Sequence, residues 1–181
     1  MATERWEIDS SHSSIHFSVR HLVIAKVRGQ FSRWSGTVVV PDGDLTRATV
    51  EATIDAASID TGVADRDTHL RSADFFDVAQ FPDATFTSSR IEKAGDSLRL
   101  VGQLTLKGIA REVALEVEAL GTMKDPWGND RAAFSASTVI DRKDFGLGWN
   151  QVLETGGVVV GDKVTLEVEV QAVRQAASKV A

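Results

Sequence analysis

"KVTLEVEV", residues 163–170, alternates without a fault. Val164, Leu166, Val168 and Val170 share one face, and Lys163, Thr165, Glu167 and Glu169 share the other. A period of two with one apolar and one polar face marks a half-buried antiparallel strand. The pattern spreads outward from here. "VALEVEA" (113–119) turns Val113, Leu115, Val117 and Ala119 inward, and "SLRLVGQLTL" (97–106) turns Leu98, Leu100, Gly102, Leu104 and Leu106. "TVEATIDAASI" (49–59) carries Val50, Ala52 and Ile54 on one side, and "SSIHFSVRH" (13–21) carries Ile15, Phe17 and Val19. "SGTVVV" (35–40), "ATFTSSRI" (84–91) and "AAFSASTVI" (132–140) are fainter strands. Turn signals separate them at 41–43, 94–96, Lys107-Gly108, 125–129 and Gly161-Asp162.

About eight one-faced strands must bury their apolar sides and protect their edges, and closing the sheet does both. The expected fold is all-β: a closed eight-stranded antiparallel barrel, wide enough to be filled by side chains or to hold one small ligand. A two-sheet sandwich has the same periodicity and stands as the alternative. Residues 1–175 make the domain and 176–181 a frayed or helical tail.

One stretch breaks the alternation. "VADRDTHLRSADFFDVAQFP" (63–82) reads as a short charged helix, capped by Thr61 or Asp60. Asp65–His69 and Asp67–Arg71 are acid-before-base pairs at i,i+4. Phe75-Phe76 follow, and Pro82 ends the excursion. Such a run is usually a solvated face. Adjacent aromatics beside it in a barrel protein suit a lid over an open end. Small inward residues such as Gly102 and Ala136 would leave a void below it. Outward apolar residues such as Val39 and Val101 leave room for a homodimer face.

Composition removes several classes of function. There is no cysteine, so disulfides and thiolate chemistry are absent. The net charge of −6 opposes a general nucleic-acid binder and strong adhesion to anionic membranes. The start, Met-Ala-Thr-Glu-Arg-Trp-Glu, lacks the apolar run of a signal peptide, and no stretch is long enough to span a bilayer. A cytoplasmic protein is the expectation. On a strand, His12 and His16 lie about 13 Å apart, too far to share one metal. No Gly-x-Ser-x-Gly elbow occurs, Asp65 and Asp67 diverge on a helix, and the Gly-x-Gly of "FGLGWN" (145–150) is a weak phosphate signal.

The chain resembles the YceI-like family of polyisoprenoid-binding, lipocalin-like proteins. The stretches that carry the likeness are "IDSSHSSIHFSVRHL" (8–22), "KVRGQF" (26–31), "DRDTHLRSADFFD" (65–77), Pro82 and Phe86, "GQLTLKG" (102–108), "IDRKDFG" (140–146) and "VGDKVTLEVEV" (160–170). The resemblance implies a long barrel with a short helix near its mouth, enclosing a polyprenyl phosphate or an isoprenoid quinone. It implies a carrier or store of that lipid rather than an enzyme, with no cofactor-dependent catalysis; the histidine spacing gives no reason to expect a metal. Tail contacts would come from Ile15, Phe17, Val19, Phe75, Phe76, Phe86, Leu104 and Phe134. Head-group contacts would come from Arg20, His21, His69 and Arg71, unless the arginines pair with Asp67, Asp74 or Asp144. Many relatives are exported, which the start of this chain does not suggest. The alternatives are a stress-linked interaction module with a filled barrel, and an enzyme acting on a prenyl lipid with His69 or His21 as acid–base.

Overall fold

The structure, a computed structural model, describes residues 2–22, 24–150 and 159–176. Its strand segments are β1 (Thr3–Ile8), β2 (Ser14–His21), β3 (Ala25–Phe31), β4 (Trp34–Pro41), β5 (Thr49–Asp55), β6 (Ile59–Asp60), β7 (Asp83–Ala94), β8 (Ser97–Leu106), β9 (Ile109–Lys124), β10 (Asp130–Asp141) and β11 (Val160–Arg174). One α-helix, α1 (Ala64–Arg71), follows β6.

These segments occupy eight positions around a closed ring. β1 and β2 lie end to end along β11, opposite residues 172–174 and 160–169. β4 pairs with β1 while β3 pairs with β2, so β3 and β4 form the next stave. β5 and β6 form the third. β7 to β11 complete an antiparallel meander, and the β1–β11 pairing closes it. The barrel is therefore the architecture, and the sandwich is excluded.

The staves break where the sequence interrupts its alternation. A 3-10 turn at Ser10–His12 separates β1 from β2, capped by Asp9, whose carboxylate accepts from the Ser11 N–H at 3.0 Å. Asp55 does the same between β5 and β6. The expected strand at 49–59 is thus two pieces. The expected turn at Gly161-Asp162 lies inside β11, beside a register irregularity between Val160 and Val164. Lys107 and Gly108, both at positive φ, make the tight β8–β9 hairpin.

The wall opens at one end. β6 pairs with β3 alone, and β7 leaves β5 at Asp55. Residues 61–82 fill that gap. α1 has only Ala64 and Leu70 as apolar residues, so hydrogen bonds rather than an apolar stripe seat it. Its N-cap is Val63, with no side-chain cap. Thr61 instead offers its N–H and hydroxyl to buried Asp67. Neither expected i,i+4 pair forms: Arg71 donates to the Ala57 and Ile59 carbonyls, and His69 meets Asp74 at 2.8 Å. Asp67 and Arg71 are each drawn toward backbone groups that the open sheet edge leaves without strand partners.

Two further expectations are corrected. Gly102 leaves no void, because a Cβ there would lie 2.6 Å from the Phe86 ring, which covers it. Val101 is 3% exposed and offers nothing to a dimer face. It sits between Arg90 and Ala114 on neighbouring strands, and the Arg90–Glu112 pair spans β8 above it. Most of the tail, 177–181, lies outside the described residues.

Candidate functional site

The barrel is not filled by its own side chains. Two cavities lie along its axis. The upper, about 440 Å³, sits beneath α1, and the lower, about 200 Å³, lies between the staves below. Ile15, Ile54, Leu104 and Leu166 line both and form a neck between them. The lower chamber is lined by apolar side chains except for Thr138, with Trp34 the one other residue there that carries a polar atom. Its walls come from the period-two faces: Leu115 and Val117, Val168 and Val170, Val50 and Ala52.

An aromatic collar surrounds the upper chamber. Phe17 packs on Phe31 with centroids 5.7 Å apart, and Phe31 meets Phe76 edge-on at 5.8 Å. On the other side His69, Phe75 and Trp149 form a cluster, with His69 edge-on to both rings at 5.1 and 4.6 Å. Gly29 makes the first group possible. A Cβ there would come within 2.3 Å of the Phe17 ring, so only glycine fits opposite Phe17. Beside the collar, the 3-10 turn Arg142–Phe145 buries Phe145 to 1% exposure, and Leu147 just beyond it is buried and lines the chamber.

The polar lining belongs to the upper chamber: Arg20, His21, Asp65, Arg66, His69 and Arg142. Arg20 and Asp65 are its exposed members and mark the mouth between β2, α1 and the start of β11. Arg142 is 3% exposed. Its guanidinium donates to the carbonyls of Leu147, Trp149, Val160 and Gly161. Desolvation pushes its pKa down, and Asp162 and Asp141 counter that. Arg66 donates to the Thr61 hydroxyl and carbonyl.

All eight residues expected at a lipid tail line one chamber or the other. Ile15, Phe17, Val19, Phe75, Phe76 and Leu104 face the upper, and Ile15, Phe86, Leu104 and Phe134 the lower. Of the four head-group candidates, Arg20, His21 and His69 line the upper chamber. Arg71 does not, since its donors are drawn to backbone carbonyls behind α1. The sequence reading passed over Arg66, Arg142 and the neck residues Ile54 and Leu166 as site residues. Ile54 and Leu166 carried a signal in their inward parity. Arg142 carried none, because a buried arginine in "IDRKDFG" looks like any exposed cation. Among the described residues no group of three or more His, Asp or Glu side chains could hold a metal ion. His12 instead meets Asp9 at 2.8 Å.

Comparison with known proteins agrees with this geometry. The YceI-like domain matches residues 6–172. Protein YceI of Salmonella newport and that of Salmonella arizonae are each 41% identical over 139 residues, 77% of this chain and 73% of theirs. Burkholderia cenocepacia BcnA superposes with a TM-score of 0.79 at 25% identity, over 91% of this chain and 98% of that one. A Campylobacter jejuni YCEI protein gives 0.74 at 29% identity, over 87% and 90%. A polyisoprenoid binding domain from Saccharophagus degradans, implicated in plant cell wall breakdown, gives 0.68 at 16% identity, over 94% and 98%, a likeness of fold alone. No helix among the described residues is long and apolar enough to cross a membrane.

Proposed function

The chain belongs to the YceI-like family, and from that premise we propose that it binds one isoprenoid lipid, chain down both chambers and head at the mouth. The observation that carries this is the pair of adjoining chambers, the lower lined by apolar side chains apart from Thr138. A dry cavity rewards a long apolar chain by about 0.8 kcal/mol for each buried CH₂. The solved relative described as a polyisoprenoid binding domain shares the fold. The protein acts as a holder or carrier of this lipid rather than as a catalyst.

An uncharged, quinone-type head suits the mouth best. A phosphate needs several free charged donors, whereas the Arg142 guanidinium is bonded to four carbonyls and Arg71 to two. Rim residues Arg20, His21 and Arg66 favour the second reading, a polyprenyl phosphate.

Native mass spectrometry, with organic extraction of the purified protein, tests both. A co-purifying quinone, or uptake of added quinone, is expected, with retention lowered by Phe17→Asp. Leu166→Trp narrows the neck and is expected to shorten the longest chain retained. An extracted polyprenyl phosphate would shift the head to the second reading. A folded protein that retains neither lipid after loading would remove the cargo altogether.

A further inference from the structure

Among the described residues, three of the large apolar side chains left to solvent gather at the mouth end. Leu22 is 41% exposed and Ile24 89% exposed, on the turn joining β2 to β3, and Val63 is 46% exposed just before α1. The hairpin that carries Leu22 and Ile24 also lines the upper chamber through Val19, His21 and Val27. Thus the apolar tip continues the rim of the opening.

Leu22 is a poor choice for the fold. Its φ is +54°, a left-handed conformation that Gly, Asn or Asp adopts far more readily. A bulky apolar residue, strained in backbone and turned to water, helps neither the turn nor the core.

The stem below the tip is cationic. Lys26 lies opposite Arg20 in register, and Arg28 opposite Ser18, on the outward face of the hairpin. Lys26 and Arg28 are exposed, and neither forms an ion pair with a described residue. At about 3.3 Å per residue, Lys26 stands about 7 Å and Arg28 about 13 Å above Ile24. With Ile24 at the acyl boundary of a bilayer, Lys26 falls within the headgroup layer, about 5–8 Å thick, and Arg28 lies just outside it.

The apolar tip at the other end has different surroundings. Leu120, Met123 and Trp127 are exposed around the β9–β10 turn, but the neighbouring cation Lys124 is paired with Asp130 at 3.6 Å. Exposed apolar surface alone does not distinguish the two ends; free cations and an adjoining tunnel mouth do.

We propose that the β2–β3 hairpin docks the mouth of the barrel onto an anionic lipid bilayer, Leu22 and Ile24 entering the interface while Lys26 meets acidic headgroups and Arg28 adds attraction from within a Debye length. The protein's net charge of −6 opposes strong adhesion of the molecule as a whole, but surface attraction falls off within a Debye length, so the hairpin cations nearest the membrane set the local contact. Docking gives a water-insoluble ligand a route into the chamber that avoids bulk water, and in this respect the proposal rests on the lipid-binding function above.

Flotation of the purified protein with vesicles tests it. Vesicles of phosphatidylcholine mixed equally with phosphatidylglycerol should carry the protein at low salt, and pure phosphatidylcholine vesicles should carry much less. Ile24→Asp is expected to weaken binding about tenfold or more through the lost apolar contact. Lys26→Glu with Arg28→Glu should weaken it by about tenfold or more at low salt and little at high salt. Leu120→Asp should leave it unchanged. Leu22→Asn is the sharpest variant. It should raise the unfolding midpoint, because Asn accepts the left-handed turn, while lowering vesicle binding.

No association of the wild type with anionic vesicles, or binding that Ile24→Asp leaves intact, would overturn the proposal. So would a self-association abolished by Ile24→Asp without any vesicle binding, which would make a second copy of the chain the occupant. A protein that retains lipid in solution but ignores vesicles loses only the docking. One that floats but never retains lipid loses only the cargo.

Discussion

The two ends of the barrel both use arginine, and they use it differently. At the mouth, Arg142 and Arg71 donate to main-chain carbonyls: Leu147, Trp149, Val160 and Gly161 for the first, Ala57 and Ile59 for the second. At the β9–β10 end, Arg131 bridges two carboxylates, Asp9 at 2.9 Å and Asp125 at 2.8 Å. The reason is the state of the sheet. Near the mouth the staves part, and carbonyls that would have met a neighbouring strand need other donors. Near Arg131 the ladder to β11 is continuous, since β1 and β10 pair with it on either side, and the bulge between Ala133 and Phe134 lies on the β9 side. There the arginine ties a turn and a kink to the wall. A guanidinium can therefore stand in for missing strand pairing, and this lets the barrel open over its cavity without unravelling.

Variants separate the two uses. Arg142→Met should have the largest effect. It strands several carbonyls beside the upper chamber, at about 1–3 kcal/mol for each that stays buried without water. Urea unfolding is expected to show a loss of about 3 kcal/mol or more, unchanged between neutral and mildly acid pH because carbonyls do not titrate. A loss below about 1 kcal/mol would mean water replaces the clamp and the comparison fails. Arg71→Met, with two carbonyls, should lose about 1–3 kcal/mol by the same measurement.

The opposite knot should respond to acid. Burial pushes Asp125 up, but Arg131, the Asn129 backbone and side chain, and the Trp127 N–H outweigh it and hold the carboxyl down at about 2. Asp9 lies well below its ordinary 3.8, through Ser11 first, then Arg131 and His12. Both groups bind fewer protons folded than unfolded. Their stabilisation is present above the ordinary 3.8 of a free carboxyl and, for Asp125, is lost as pH falls toward about 2. Arg131→Met should therefore be less stable than wild type at neutral pH and begin its acid unfolding at higher pH. The two proteins should converge in strong acid. Parallel pH profiles would show that the knot contributes no linkage. His12→Gln should change least, because His12 is an exposed partner of Asp9.

Much of this was legible in the alternation. Val164, Leu166, Val168 and Val170 face the tunnel as their parity required, and so do Ile15, Phe17 and Val19. β1 and β3 were not legible. "TERWEI" is dominated by charge, and "AKVRGQF" places Gly29 where an inward apolar side chain should stand. Gly29 makes sense only once the Phe17 ring is seen against it. The helix at 64–71 was readable as a helix. Its partners were not, because i,i+4 spacing describes an isolated helix while Asp67 and Arg71 found stronger partners in the open sheet edge.

By itself, then, the sequence determined the strands with clean alternation, the side each presents inward and the apolar character of the interior they enclose. All of these follow from periodicity, which is local. Only the tertiary structure decided where the staves break, that the interior divides at Ile15, Ile54, Leu104 and Leu166, and which arginines serve the backbone. Those depend on distances between residues far apart in the chain, where a buried cation and an exposed one are spelled alike.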